Sequence, residues 1–194
     1  MLTVLACKKN EEKKEEPGLM DAVENIDNLS KAGDALKDFE KKQEELKKMK
    51  PVSNEVLKNV LTENLGDLKR TYFSAGDTSM MGLISAEATY GDDSEKNIKL
   101  SLFDGAGETG SSILALTVMA LSMNRESIDN TKTKKVEVVN GIRCLTEDDT
   151  NPEHINSSIT FLHNDRFQIG IEGNKIPLEE LKSYLKKIDL SKLD

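Results

Sequence analysis

The hydrophobic periodicity of the chain changes at Leu65, and this change restricts the fold more than any other feature. Before Leu65 the apolar residues recur at helical spacings, as expected for an amphipathic helix. After Leu65 they alternate with polar residues, which is typical of strands with one buried face. The spacing therefore predicts a helical segment over 19–64 and a strand-rich domain over 65–194.

Two turn signals predict how the later strands pair. Asn140-Gly141 separates two alternating runs and is the strongest short hairpin signal, because both central positions of a type I′ turn need positive φ. A second turn is predicted around Asn164-Asp165. We expect about seven strands in all, over 69–75, 83–90, 97–103, 136–139, 142–145, 159–163 and 167–171.

Four helices are predicted around these strands. The segment 19–49 is amphipathic, and Ser53 is expected to cap a short helix that runs to Leu61. Residues 111–123 are apolar nearly all round, so this helix should be largely buried against the sheet, and 177–188 form a final amphipathic helix. The predicted fold is α+β, an antiparallel sheet of about seven strands with helices packed on one face, preceded by an N-terminal helical segment. The order of these elements is similar to that of the PsbP/Mog1-type small sandwich domains.

The long helix over 19–49 admits two interpretations. It lies along the domain or projects from it, or it forms a coiled-coil seam through which the chain oligomerises. In the second interpretation Leu29 and Leu36 occupy one core position of the heptad, and Phe39 and Leu46 occupy the other. Both alternatives stay open at the level of sequence.

The charge of the chain argues against nucleic acid as a partner. The sequence carries 27 basic and 35 acidic residues, a formal net charge of −8, which is the wrong sign for tracking a phosphate backbone. With no Trp, three Tyr and five Phe, it also offers little material for stacking bases.

The first residues of the chain form a short apolar run, and the composition changes abruptly after it. The apolar run 1–6 ends at Cys7 and is followed at once by a stretch rich in Lys and Glu. This junction resembles the lipobox of bacterial lipoproteins, with Ala6 before the cleavage position and Val4-Leu5 completing the apolar box. The resemblance implies that 1–6 are the remnant of a signal peptide. It also implies that a signal peptidase cuts before Cys7 and that this cysteine then receives acyl chains.

A flexible tether is expected to follow the acylated cysteine. Residues 7–18 contain four Lys and four Glu and cannot bury apolar area, so they should stay solvated. Two acyl chains would provide stable anchoring. The stretch is also similar to the surface-export signals of lipoproteins in the Bacteroidetes group. We therefore expect the protein in the cell envelope, lipid-anchored to a bacterial membrane through Cys7, with the outer membrane or cell surface favoured.

The second cysteine is predicted to be structural. If Cys7 is acylated, Cys144 has no partner for a disulfide, and the fold must depend on its core. Cys144 lies in an alternating apolar run, where a buried and inert thiol is the expected outcome.

Residues 105–110 read Gly-Ala-Gly-Glu-Thr-Gly, the spacing of a dinucleotide-binding loop between a predicted strand and a predicted helix. Asp104 and Glu108 would place carboxylates where phosphates should lie, and the following strands form hairpins where a parallel crossover is needed. The alternative, a glycine-rich turn into a buried helix, is favoured.

Other signatures of chemistry are weak. His154 and His163 lack the spacing of a zinc site, and the acidic segments 92–95 and 147–153, predicted to be loops, would hold calcium only outside the EF-hand pattern. Ser111-Ser112 is read as a helix cap. We therefore predict no cofactor, no metal and no catalytic residues.

The leading hypothesis for function is a lipid-anchored, non-catalytic binding or scaffolding module, and the sequence leaves its specific partner open, with a protein or a small apolar ligand as the alternatives. A second hypothesis is a carrier of a small apolar ligand, held in a pocket between the sheet and helix 111–123. A third is an exported enzyme whose site would be a cleft of convergent groups with shifted pKa values.

Overall fold

The described part of the chain is built on an antiparallel sheet of nine strands. The computed structural model describes residues 19–77, 83–92 and 94–193. The strands are ordered β1-β2-β3-β4-β9-β8-β7-β6-β5 across the sheet. Their bounds are β1 Asn64–Leu65, β2 Leu68–Asp77, β3 Ile84–Gly91, β4 Asn97–Asp104, β5 Glu126–Asp129, β6 Lys132–Val139, β7 Ile142–Asp149, β8 Asn156–His163 and β9 Phe167–Asn174.

Two meanders build this sheet and meet at its centre. Strands β1–β4 follow one another as neighbours, and so do strands β5–β9. The last strand of each meander pairs with the other, so that β4 runs antiparallel to β9 with Leu100 opposite Ile171. The α+β class and the antiparallel sheet are as predicted, whereas the strand count is nine instead of about seven. The two additional strands are β1 and β5, which have two and four residues and are too short to give a period-two pattern.

In the described residues, four α-helices and one short 3₁₀ helix accompany the sheet. They are α1 Leu19–Lys48, α2 Asn54–Val60, α3 Glu108–Ser122, α4 Leu178–Leu185 and the 3₁₀ helix Ser191–Leu193. Among the described residues, no helix is both long and apolar enough to cross a membrane.

The helices lie on both faces of the sheet, which corrects the prediction of helices on one face. Leu181 of α4 packs in the main core with Leu102, whereas Leu114 of α3 packs with Phe103. Adjacent residues of a strand point to opposite faces, so α4 and α3 lie on opposite sides. The sequence pattern missed this because β4 exposes only one large apolar side chain, Phe103, to the second face.

The main core lies between the sheet and the two helices α2 and α4. Its largest fully buried side chains include Tyr90, Phe161 and Phe167, and the free Cys144 belongs to the same cluster. The alternating apolar residues that predicted the strands are therefore the ones whose side chains face this core. Clusters of this kind supply most of the stability of a domain of this size.

Both predicted turns are confirmed by their backbone geometry. Asn140 and Gly141 have φ values of 53° and 84°, and they join β6 to β7 with Val139 opposite Ile142. Asn164 and Asp165 also have positive φ, and they join β8 to β9. Asn and Asp tolerate this conformation better than other residues with a side chain, which explains why these two dipeptides were informative.

The predicted start of α2 is confirmed, whereas the predicted start of α3 is not. Ser53 caps α2 as predicted, since its hydroxyl oxygen accepts a hydrogen bond from the Val56 amide at 3.4 Å. The prediction that Ser111 caps α3 is wrong, because that helix begins at Glu108 with Gly107 at the N-cap. Ser111 is fully buried inside the first turns, where its hydroxyl donates to the Glu108 carbonyl oxygen.

The long helix α1 packs along α3 in the opposite direction. Near its C-terminal end, the carbonyl oxygen of Leu46 accepts a hydrogen bond from the Gly107 amide at 2.9 Å. Towards its N-terminal end, the side-chain oxygen of Asn28 accepts one from the Asn124 amide at 2.9 Å. These contacts at both ends of α3 hold the two helices side by side.

The buried seam of α1 differs from the predicted heptad. Ala32, Phe39 and Leu46, seven residues apart, are the buried positions, and the last two pack with Leu114. Leu29, expected in the same seam, is 72% exposed. The oligomerisation proposed for this helix would have to use the remaining surface, because Phe39 and Leu46 already contact α3.

Candidate binding groove

A groove opens where α1, α3 and one end of the sheet meet. Its volume is about 420 Å³, within the range of small-molecule sites. The contributing elements are the middle of α1, the C-terminal half of α3, the start of β7, the end of β8 and the turn between β8 and β9. The residues that line this binding groove are Ala35, Asp38, Phe39, Lys42, Val118, Leu121, Ser122, Ile142, Arg143, Leu162 and Asp165.

The floor of the groove is apolar. Phe39 and Leu121 are buried, and Val118, Ile142 and Leu162 are half-buried around them. Each lies on a different element or a different turn, so the floor exists only once the helix pair is docked on the sheet. Apolar side chains that are left half-buried in a concavity gain from a ligand that removes them from water.

Four charged residues line the rim of the groove. Asp38 and Lys42 come from α1, Arg143 from β7 and Asp165 from the turn after β8. Asp38, Arg143 and Asp165 are exposed, whereas Lys42 is half-buried. The rim thus carries two carboxylates, one ammonium and one guanidinium beside an apolar floor. This arrangement favours an occupant whose apolar group enters the groove and whose polar groups remain at the rim.

Arg143 is already engaged by the protein. Its guanidinium donates hydrogen bonds to the carbonyl oxygens of Leu121 and Met123, the latter at 3.2 Å, and to the side-chain oxygen of Asn124 at 2.9 Å. These carbonyls end α3, where a cation is favourable because the helix dipole is negative. Arg143 therefore fixes the end of α3 over the sheet and keeps that wall of the groove in position.

The position of α1 is set by a polar contact as well as by its apolar seam. The Gln43 side-chain amide donates to the Ser111 carbonyl oxygen at 3.4 Å. Gln43 interrupts the heptad in the sequence, and in the structure its side chain provides a polar link from α1 to α3. The contribution of Phe39 and Lys42 to the groove was missed by sequence reasoning, and the only signal was the spacing of Ala32, Phe39 and Leu46.

The glycine-rich loop is a close-packing turn. A Cβ at Gly105 would lie 2.6 Å from Leu114 Cδ2 and 2.8 Å from the Arg166 carbonyl oxygen, and one at Gly110 would lie 3.0 Å from the Gly105 carbonyl carbon. Gly107 has a φ of 84° and donates its amide to Leu46. These contacts give each glycine a packing or conformational reason, and they agree with the favoured prediction of a turn into a helix.

The predicted acidic loops are not both loops. Glu147, Asp148 and Asp149 are the last residues of strand β7, so their side chains alternate between faces. Glu147 pairs with Lys134 at 3.3 Å, and Asp149 accepts hydrogen bonds from Thr131 and the Asn151 amide. In the described part of the chain, no group of three or more His, Cys, Asp or Glu side chains is arranged to hold a metal.

The remaining predicted residues are dispersed. Asp92 binds the Ser94 amide and hydroxyl, whose hydrogen bonds lower the pKa of its carboxyl, while Asp93 lies outside the described residues. His154 is exposed in the loop before β8, and His163 is the last residue of that strand. The histidines and the acidic residues therefore do not assemble into one site.

Cys144 is buried in the core, as predicted. Burial raises the pKa of its thiol to about 11, so that the nucleophilic thiolate is scarce at neutral pH. The other predicted cysteine, Cys7, the lipobox residues 4–6 and the predicted tether 7–18 all lie outside the described residues.

A second concavity, of about 440 Å³, lies at the opposite end of the same sheet face. Charges of both signs line it, including Lys99, Lys132, Glu147 and Glu172. Several of them are already paired, as Lys99 is with Glu87 at 2.9 Å and Lys132 with Asp149 at 3.7 Å. A polar, solvated face is usual for an antiparallel sheet, so the apolar binding groove is the stronger candidate.

Comparisons with family models, curated proteins and solved structures give no match to this chain.

Proposed function

We propose that this protein is a lipid-anchored, extracytoplasmic binding module that works without catalysis, with the binding groove between α1, α3 and the sheet as its site. The lipid would be attached at Cys7, and the location would be the envelope of a bacterial cell, at the outer membrane or cell surface. The lipobox-like sequence supports the anchor, and the groove supports the binding role.

The observation that carries the binding role is the combination of an apolar floor with a charged rim. Phe39, Val118 and Leu162 offer dispersion contacts and area to be removed from water. Asp38 and Lys42 on the rim would orient the polar part of an occupant. Specific sites commonly have this division, in which apolar area supplies affinity and a few polar groups supply orientation.

The occupant we favour is an apolar side chain of a protein partner. The groove is open at the surface, and its rim residues Asp38, Arg143 and Asp165 are exposed, so a neighbouring polypeptide could reach both floor and rim. Interfaces usually bury one or two such anchors within a polar border.

A carrier of a small apolar ligand is the second candidate, and the position of the groove favours it. The sequence predicts a pocket between the sheet and helix 111–123, and Val118 and Leu121 of that helix line the groove. The volume of about 420 Å³ would enclose part of a small apolar molecule.

The anchoring is tested by the mass of the mature protein. The gene would be expressed in a bacterial host with a full signal sequence restored upstream, and the intact protein would be weighed. A chain that begins at Cys7 and carries a covalent increment of acyl size is expected. An unmodified chain that still contains residues before Cys7 would overturn the anchor.

The groove is tested by filling it. Val118→Trp places a large ring on the floor, whereas Leu116→Trp makes the same change two residues away, where the wild-type side chain is 62% exposed. Anilinonaphthalene sulfonate serves as the apolar probe, and its fluorescence is titrated against the full chain. We expect at least about a tenfold loss of affinity in Val118→Trp alone, which corresponds to about 1.4 kcal/mol. Equal affinity in the two variants would place the probe elsewhere.

A further inference from the structure

The solvent side of α3 is apolar beyond the exposed Ser112, although helices on a protein surface normally turn charged residues outward. Leu116 is 62% exposed, and Ile113, Ala120 and Met123 are partly exposed on the same side. These four residues, three or four apart, are called here the outer face of α3. The sequence predicted a largely buried helix, and this prediction is wrong for the outer face.

Beyond its first residue, Glu108, α3 contains no charged residue, which sets it apart from the other helices. No charged residue occurs in the sequence between Glu108 and Arg125. In α4, by contrast, Glu179 and Lys182 lie beside buried apolar positions, and the exposed side of α1 is rich in Lys and Glu. An uncharged apolar surface on a helix is typical of a contact with another apolar phase or surface.

The inner sides of α3 are already occupied, so the outer face is what remains. Leu114 and Leu121 are buried towards the sheet and α1. Thr117 donates a hydrogen bond to the side-chain oxygen of Gln168 on β9. At 100° per residue, Leu116 and Ala120 lie far round the helix from Leu114 and Leu121, so the inner contacts cannot cover them.

The course of α1 brings its N-terminal half to this surface. Because Asn28 contacts Asn124, the tenth residue of α1 lies beside the C-terminal end of α3, and the nine residues before it extend about 14 Å further to Leu19. Residues 8–18 separate Cys7 from Leu19, and eleven residues span at most about 40 Å when extended. The fifteen residues of α3 rise by about 22 Å. A lipid on Cys7 would therefore place the membrane surface within reach of Leu116.

The proposed lipid anchor would also supply the membrane affinity that the outer face lacks by itself. The outer face contains no aromatic residue and no cation, and it is too small to hold a free protein on a bilayer. A tether of about ten residues converts this weak contact into an intramolecular one with a high effective concentration. Weak second contacts of this type commonly complete the attachment of lipidated proteins.

We propose that the outer face of α3 rests on the lipid surface when the protein is held there through Cys7. This inference rests on the anchoring proposed above. The docked helix would fix the orientation of the domain and hold the neighbouring binding groove at a set height above the membrane.

The experiment attaches the full chain to vesicles chemically, so that natural acylation is not needed. Cys7 would be coupled to a maleimide lipid in phosphatidylcholine vesicles. Cys144 does not compete, because it is buried and its thiolate is scarce at neutral pH. The chain contains no Trp, so Leu116→Trp introduces a unique fluorophore on the outer face. Ser183→Trp, an exposed position on α4 across the sheet, is the matched control.

For the coupled Leu116→Trp protein we expect a blue-shifted emission and a several-fold loss of intensity when the lipid acyl chains are brominated. The coupled Ser183→Trp protein should emit as it does in solution. Emission from the Leu116→Trp protein that is the same with and without vesicles would overturn the docking. A blue shift of the uncoupled protein that grows with its own concentration would overturn it as well, in favour of a second copy on this face.

Failure of this proposal is distinguishable from failure of the anchor. Coupling through maleimide tests the outer face alone, whereas the mass of the mature chain tests acylation alone. A negative vesicle result with an acylated mature chain would leave the anchor and remove the docking. A chain whose outer face docks but which is never acylated in the cell would remove the proposed anchor.

Discussion

Asp104 and Arg166 form a bidentate ion pair that ties three segments of the fold together. The Nε and Nη2 atoms of Arg166 donate to the two carboxylate oxygens of Asp104 at 2.8 and 2.9 Å, and the carboxylate is fully buried. The same carboxylate accepts hydrogen bonds from the amides of Val52 and Ala106 at 2.8 and 3.0 Å. The pair thus joins the end of β4, the β8–β9 turn and the chain that leaves α1.

Removal of one partner of this pair should be costly. We expect Asp104→Ala to lower the free energy of unfolding by about 3–5 kcal/mol, because it leaves the Arg166 guanidinium and two amides without their acceptor. Urea unfolding of the variant and the wild type would measure the difference. The exposed pair of Lys134 and Glu147 is the control, for which Glu147→Ala should cost less than about 1 kcal/mol. Similar losses in the two variants would mean that burial adds nothing to the Asp104 contact.

Local signals were sufficient for seven of the nine strands and not for what packs on the second face of the sheet. Alternation and the turn at Asn140-Gly141 predicted the strands and hairpins, because both depend on neighbours in sequence. The ion pair of Asp104 and Arg166 joins residues far apart in sequence, and no period or motif announces such a contact. The binding groove is missed for the same reason, since Phe39 and Leu162 meet only after α1 has docked.

Alanine substitution should change the stability of the protein in opposite directions at Gly105, in the loop after β4, and at Gly33, in α1. We expect Gly105→Ala to destabilise by about 1–3 kcal/mol, because the new methyl group would lie 2.8 Å from a backbone oxygen that cannot easily move. Gly33→Ala meets nothing within 4 Å in a helix and should stabilise by about 0.5–1 kcal/mol. Thermal unfolding of both variants would give the signs. A stable Gly105→Ala protein would contradict the close-packing explanation of this loop.

The seam between α1 and α3 should depend on Phe39 and not on Leu29. Phe39 is buried against α3, so Phe39→Ala is expected to lower the free energy of unfolding by about 3–5 kcal/mol. Leu29 is 72% exposed, and Leu29→Ala should change it by no more than about 0.5 kcal/mol. Denaturant titration distinguishes the two. If Leu29→Ala were the more harmful change, and its effect depended on protein concentration, the coiled-coil interpretation of this helix would be correct.

Cys144 should make the protein less stable as the solution becomes alkaline. Burial raises the pKa of its thiol to about 11, whereas a cysteine in an unfolded chain titrates at about 8.5. Between these values the unfolded state loses a proton that the folded state keeps, so the free energy of unfolding falls as the pH rises and is unaffected below this range.

Cys144→Ala removes the contribution of this thiol to the pH dependence of stability. The other groups that titrate at alkaline pH stay in place. Burial also raises the pKa of Tyr90 and Tyr184, each to about 12, and both tyrosines remain in the variant. The variant should be less stable than the wild type at neutral pH, since it loses the buried sulfur, and the difference should narrow between about pH 8.5 and about pH 10.5. Urea unfolding across this range checks it. A difference that stays constant with pH would mean that the thiol ionises as readily in the folded chain as in the unfolded one.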